Sequence, residues 1–79
     1  MDAPLKPSRT VDARGLRCPL PLLKAREEME LVPPGGVLEV LATDPGAEHD
    51  LRSWSRRKGY AFVDTSEAAG LSFLVYRPF

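Results

Sequence analysis

"VLEVLATDPGAEHDLRSWSRRKG", residues 37–59, changes its pattern partway along. Residues 37–43 form a largely apolar run of strand length, which reads as a buried β-strand. At "TDPG" the chain turns, with Asp44 suited to a helix N-cap and Pro45 to the first helical position. From there Ala47, Leu51 and Trp54 recur at spacings of four and three, which defines one buried face of a helix. Arg56, Arg57 and Lys58 end that helix where cations suit the negative end of its dipole, and Gly59 is a natural stop.

Upstream, "PPGG" at 33–36 ends an earlier helical pattern. That pattern runs from Pro19 to Val32, with Leu22, Ala25, Met29 and Val32 on the apolar side. Lys24, Arg26, Glu27, Glu28 and Glu30 fill the other positions. Before it, "RTVDA" at 9–13 is short and β-prone, with Val11 pointing inward, and Gly15 breaks it. Residues 1–8 hold Pro4, Pro7 and Ser8 without periodicity and read as a loose tail before a single domain over 9–79. Downstream, "YAFVDTS" at 60–66 and "LSFLVYR" at 71–77 are strands. The turn at "EAAG" makes them a hairpin, through a connection longer than the tightest type.

The resulting order, β-α-β-α-β-β, predicts an α/β two-layer sandwich: a mixed four-stranded sheet with both helices on one face. The first three strands should be parallel where they are neighbours, through right-handed crossovers, and the last should run antiparallel to the third. The other sheet face must then be partly polar or covered by a partner.

With 79 residues the chain fits one small domain, and 43% hydrophobic with 28% charged residues is ordinary for a soluble one. Eleven basic residues balance eleven acidic ones. That balance argues against a general nucleic-acid binder, so no direct DNA binding is expected. The N-terminal stretch has no apolar h-region and no run approaches a membrane span, so a cytoplasmic protein with no membrane partner is expected. One cysteine and one histidine, Cys18 and His49, are too few soft ligands for zinc, and neither a metal nor a cofactor is expected.

Cys18 stands in "RGLRCPLP", residues 14–21. Proline favours the first helical position, so "CP" points to Cys18 as the N-cap, with its sulfur near unsatisfied backbone N–H groups. Arg14 and Arg17 add positive charge nearby. These features would favour a thiolate, or an attached persulfide anion. Pro19 and Pro21 stiffen the helix entry. The residues alone leave two readings open: a reactive thiolate, and a core cysteine of the kind that packs as a small hydrophobe.

"VDARGLRCPLPLLKAREEME" resembles the signature segment of the TusA/SirA family of small sulfur carriers. The resemblance rests on Asp12, Gly15, Leu16, Cys18, Pro19 and Pro21, then on Thr43, Asp44, Pro45, Trp54 and Gly59, and covers roughly residues 10–77. It implies the same two-layer fold, with sulfur carried as a persulfide on Cys18. The sulfur would come from a cysteine desulfurase or a rhodanese-like donor and pass to an acceptor protein, as in tRNA thiolation, cofactor assembly or sulfur oxidation. Such a protein is a sulfurtransferase-type carrier rather than a stand-alone turnover enzyme. Three positions depart from the family pattern. Many relatives have a second cysteine where this chain has Ser55. Many have a polar residue where it has Tyr60. The tRNA-thiolation members tend to carry glutamate where it has Leu20.

Around the thiol, Asp12 would position the loop through backbone N–H bonds or act on the sulfur. Leu20, Lys24, Arg56 and Arg57 are candidate partner-docking residues, although a charge run at a helix end is also an ordinary solvated surface. His49 reads as a solvated side chain and Trp54 as core. The alternative function is a non-catalytic regulatory or RNA-associated module that uses the same fold and its basic helix end. Donor, acceptor and oligomeric state are not written in the sequence.

Overall fold

The computed structural model describes residues 6–79. The elements are β1 (Arg9–Ala13), α1 (Leu20–Met29), β2 (Val37–Ala42), α2 (Gly46–Lys58), β3 (Ala61–Asp64) and β4 (Leu71–Tyr76). This is the expected order. The sheet runs β1-β2-β4-β3. β1 and β2 are parallel, and β4 lies antiparallel between β2 and β3. β4 thus separates β3 from the parallel pair.

Strand alternation divides the sheet into two faces. Val11 pairs with Val40 and Ala13 with Ala42, while Val40 faces Phe73 and Leu38 faces Val75. These side chains form one core with Ala25 and Met29 of α1 and Ala47, Leu51 and Trp54 of α2, so both helices cover the same face. The opposite face mixes Thr10, Asp12, Glu39 and Ser72 with Leu41, Leu74 and Val63, a partly polar surface as the sequence required. A groove of about 490 Å³ lies on it, bounded by Arg14, Glu39, Leu41, Ser72 and Leu74 among others.

Several boundaries differ from the sequence pattern, each for a local hydrogen-bonding reason. α1 begins after Pro19 because the Leu20 N–H donates to the Arg17 carbonyl at 2.8 Å and closes a turn first. It ends at Met29, ahead of "PPGG". The N–H groups of Leu31 and Val32 donate to the carbonyls of Glu28 and Met29, the tighter bonding of a last helical turn. Val32 still reaches the core at 1% exposure. Arg77 holds that helix end, its Nη1 donating to the carbonyls of Met29 (3.3 Å) and Val32 (2.7 Å).

β3 is shorter than 60–66. Gly59 adopts φ 78°, and the Tyr60 N–H donates back to the Ser55 carbonyl at 2.9 Å, so Tyr60 belongs to the helix cap. The hairpin turn is tighter than expected. Glu67 and Gly70 exchange both backbone bonds at 3.0 Å and leave only Ala68 and Ala69 between them. Of the expected tail, residues 1–5 lie outside the described residues. Ser8 donates its N–H to the Val37 carbonyl at 2.7 Å and so extends the pairing along β2.

Candidate functional site

The turn carrying Cys18 is fastened to the loop between β2 and α2. The Gly15 N–H donates to Thr43 Oγ1 at 2.9 Å, and the Cys18 N–H donates to Asp44 Oδ2 at 2.6 Å. Asp44 Oδ1 accepts the Gly46 N–H at 2.9 Å, so the same carboxylate also satisfies the first turn of α2. This is the capping work expected of Asp44; Pro45 has helical backbone angles, and the helix is counted from Gly46. These donors hold the Asp44 carboxyl below the usual carboxylate range, the Cys18 N–H first and Gly46 next, with a smaller contribution from the Arg17 charge. Gly15 has φ 85°, a conformation that glycine adopts without a steric cost.

Cys18 is not a helix N-cap. It precedes Pro19, which occupies that position and offers no side-chain cap, and the Cys18–Pro19 peptide is cis. The Cys18 side chain is exposed. That removes the core-cysteine reading. The thiol lies against the first turns of α2: a Cβ built on Gly46 would sit 3.4 Å from Cys18 Cβ and 3.7 Å from Sγ. One turn further along the helix, Asp50 Oδ2 accepts a hydrogen bond from Sγ at 2.5 Å.

The electrostatics are therefore the reverse of the expectation. Arg14 does not serve the sulfur: its Nε and Nη2 both bond the carboxylate of Asp12, each at 2.8 Å. That pairing, with the Arg14 N–H to Asp12 Oδ1 at 3.2 Å, brings the Asp12 pKa down to about 2. Asp12 thus organises the turn entrance and does not touch the thiol. Arg17 acts on Asp44. The Cys18 thiol pKa is pushed up, chiefly by its hydrogen bond to Asp50, then by partial loss of water and by the charges of Asp50 and Asp44. The thiol form is favoured over the thiolate.

Pro21 is buried in the first turn of α1, while Lys24 is exposed. Leu20 and Leu23 are 46% and 42% exposed, and their spacing of three puts them on one side of the helix beside the cysteine turn. Leu23 was not among the docking candidates. Arg56 and Arg57 are exposed at the opposite end of α2 from the thiol. Arg57 lines a second groove, of about 430 Å³, with Arg26, Lys58 and Arg77. His49 is exposed and takes no part in the cysteine cluster. The residue that sequence reasoning missed is Asp50. Its position one turn after Gly46 was readable, but nothing in the spacing placed it against Cys18.

Residues 9–76 match a protein-family model described as Sulfurtransferase TusA. The chain is similar to the sulfur carrier protein TusA of Allochromatium vinosum, with 38% identity over 60 residues, 76% of this chain and 79% of that one. The TusA of Pseudomonas fluorescens is 39% identical over 61 residues, 77% of this chain and 74% of that one. Among solved structures, a SirA-like protein from Desulfitobacterium hafniense superimposes with a TM-score of 0.76 at 27% identity, covering 86% of this chain and 95% of that one. With the Gly15–Cys18 turn and the Thr43–Asp44 loop joined as described, and the match spanning every strand and both helices, the chain belongs to the TusA sulfurtransferase family.

Proposed function

We propose that this chain is a sulfur carrier that holds sulfane sulfur as a persulfide on Cys18. The observation that carries the reading is the exposed Cys18 thiol, held by its backbone to Asp44 on a turn where the two helices begin. The sulfur carriers among its relatives support it. Cys18 attacks the outer sulfur of a donor persulfide, and the donor's inner sulfur leaves as the thiol. With no second cysteine in the chain, no internal thiol can displace that sulfur to form a disulfide. The donor is a cysteine desulfurase or a rhodanese-like protein, and a second protein takes the sulfur onward to tRNA thiolation, cofactor assembly or sulfur oxidation. Leu20, Leu23 and Lys24 face whichever partner covers the thiol, and Arg56 and Arg57 offer it a second, basic contact. A reducing cytoplasm suits a lone exposed thiol. No helix among the described residues is long and apolar enough to cross a membrane.

Incubation with a cysteine desulfurase and cysteine, or with a rhodanese and thiosulfate, should add one sulfur, about 32 Da, to wild type and none to Cys18→Ser. Failure of several donors to load the wild type, or equal loading of the serine variant, would favour the non-catalytic regulatory or RNA-associated module.

A further inference from the structure

We propose that Asp50 is a latch on the carrier thiol: it keeps the proton on Cys18 Sγ in the unloaded protein and turns the outer sulfur away from α2 once the cysteine is loaded. The inference rests on the persulfide reading of Cys18 and assigns the control of that site.

Three observations carry it. Asp50 Oδ2 is the acceptor of the Sγ hydrogen bond, reached across 32 residues of sequence. Gly46, one turn earlier on the same helix, has no side chain, and a Cβ there would stand 3.7 Å from Sγ, so the sulfur lies close to the helix backbone. Asp44, the other carboxylate near the thiol, has both oxygens committed to backbone N–H groups. It contributes negative charge but not a contact with the sulfur. Of the cations on these elements, Arg14 is paired with Asp12 and Arg52 with Glu48 at 2.7 Å, while Arg17 acts by its charge on Asp44. Among the described residues, the groups acting on the Cys18 thiol are thus two carboxylates, Asp50 from α2 and Asp44 from the loop before it.

The thiolate is the nucleophile in sulfur exchange, so a carboxylate that stabilises the S–H holds the unloaded carrier back. Loading requires the proton to leave. The Sγ lone pair then bonds the outer sulfur of the donor persulfide, the donor's S–S bond breaks, and the bonding pair departs on the donor's inner sulfur, which takes up a proton. The sum is Cys18 thiol plus donor persulfide anion giving Cys18 persulfide anion plus donor thiol, with no net oxidation. The loaded site then sets a persulfide anion beside the Asp50 carboxylate. Like charges at this range repel, and because Cys18 is exposed the outer sulfur can turn toward solvent. A donor that presents a cation to Asp50 would release the latch on docking.

The test uses the full chain with Asp50→Asn, which keeps the shape, and Asp50→Ala as a second variant, each checked for folding by thermal melting. Iodoacetamide alkylation of Cys18 is followed from pH 6 to pH 10, and loading from glutathione persulfide is followed at pH 7 by mass spectrometry. The alkylation midpoint should move to lower pH in both variants, raising the rate at pH 7 roughly three- to fourfold for each pKa unit, since a tenfold gain in thiolate is partly offset by its weaker nucleophilicity. Loading at pH 7 should rise in parallel. A merely structural role for Asp50 would not move the pH midpoint. Unchanged profiles in folded Asp50→Asn would overturn the latch while leaving the carrier reading intact. A shifted profile with no loading of any variant would overturn the carrier reading, and the latch on sulfur transfer with it.

Discussion

Asp44 accepts the backbone N–H of Cys18 at 2.6 Å, and through this bond the first turn of α2 and the cysteine turn become one unit. The carboxylate is what makes the bond strong, so protonation should loosen it. Because its pKa lies below the ordinary 3.8, Asp44 contributes stability that is present above that value and lost as the pH falls through the lowered one. Asp12, lowered to about 2, and Asp64, lowered by its bonds from Ser66, act in the same direction. Thermal melting should therefore show stability flat from neutral pH down to about 5 and falling steadily below about 4. Asp44→Ala should flatten part of that acid slope, and an unchanged slope would remove Asp44 from this role.

Trp54 is 6% exposed, belongs to the core and meets the Tyr60 ring edge-on, with centroids 5.5 Å apart. Trp54→Ala leaves a cavity between α2 and the sheet in a domain with little core to spare. It should cost roughly 3–5 kcal/mol, read from urea unfolding. An unchanged midpoint would mean that the ring is not a packing element.

The contrast between Trp54 and Asp50 explains what was legible in the sequence. Ala47, Leu51 and Trp54 announced themselves by helical spacing, and all three are buried. Gly59, the "PPGG" turn and the apolar run of β2 are likewise local signals. The element order, and with it the two-layer sandwich, came from such signals alone. The position of β4 between β2 and β3 did not, because which strand lies next to which depends on packing. The thiol's surroundings were the least legible part. Cys18 meets Asp44 and Asp50 across 26 and 32 residues, and no spacing rule reaches that far. Arg14 is different. Asp12 lies two residues away in sequence and captures its guanidinium, so that competition was local and readable.

Ser55 follows Trp54 on the buried side of α2. It is 1% exposed, and its Oγ has no hydrogen-bond partner among the described residues. A buried hydroxyl left unpaired is a cost without a compensating bond. Ser55→Ala removes the hydroxyl and favours the helix, and should stabilise the domain by about 1 kcal/mol, or about 4–8 °C in melting temperature. A lower melting temperature would show that the hydroxyl is satisfied in solution.

Leu20 and Leu23 remain nearly half exposed close in sequence to the exposed Cys18, although α1 has a buried side available in Pro21, Ala25 and Met29. A partner that covers the thiol must cover these two side chains as well, because both sit within the first turn of the helix that follows it. Docking would remove their remaining apolar surface from water, worth about 1 kcal/mol for each half-exposed leucine, or about fivefold in affinity. Leu20→Ser and Leu23→Ser should thus weaken sulfur loading from a protein donor by about fivefold each, and more when combined. Loading from glutathione persulfide needs no protein docking and should be unaffected, as should melting temperature, since exposed substitutions usually change stability by less than about 0.5 kcal/mol. Steady-state loading at varied donor concentration separates the cases. A rise in the apparent KM with unchanged rate at saturation identifies a docking surface. Equal loss with the protein donor and the small persulfide would instead show that the leucines act on the cysteine turn itself.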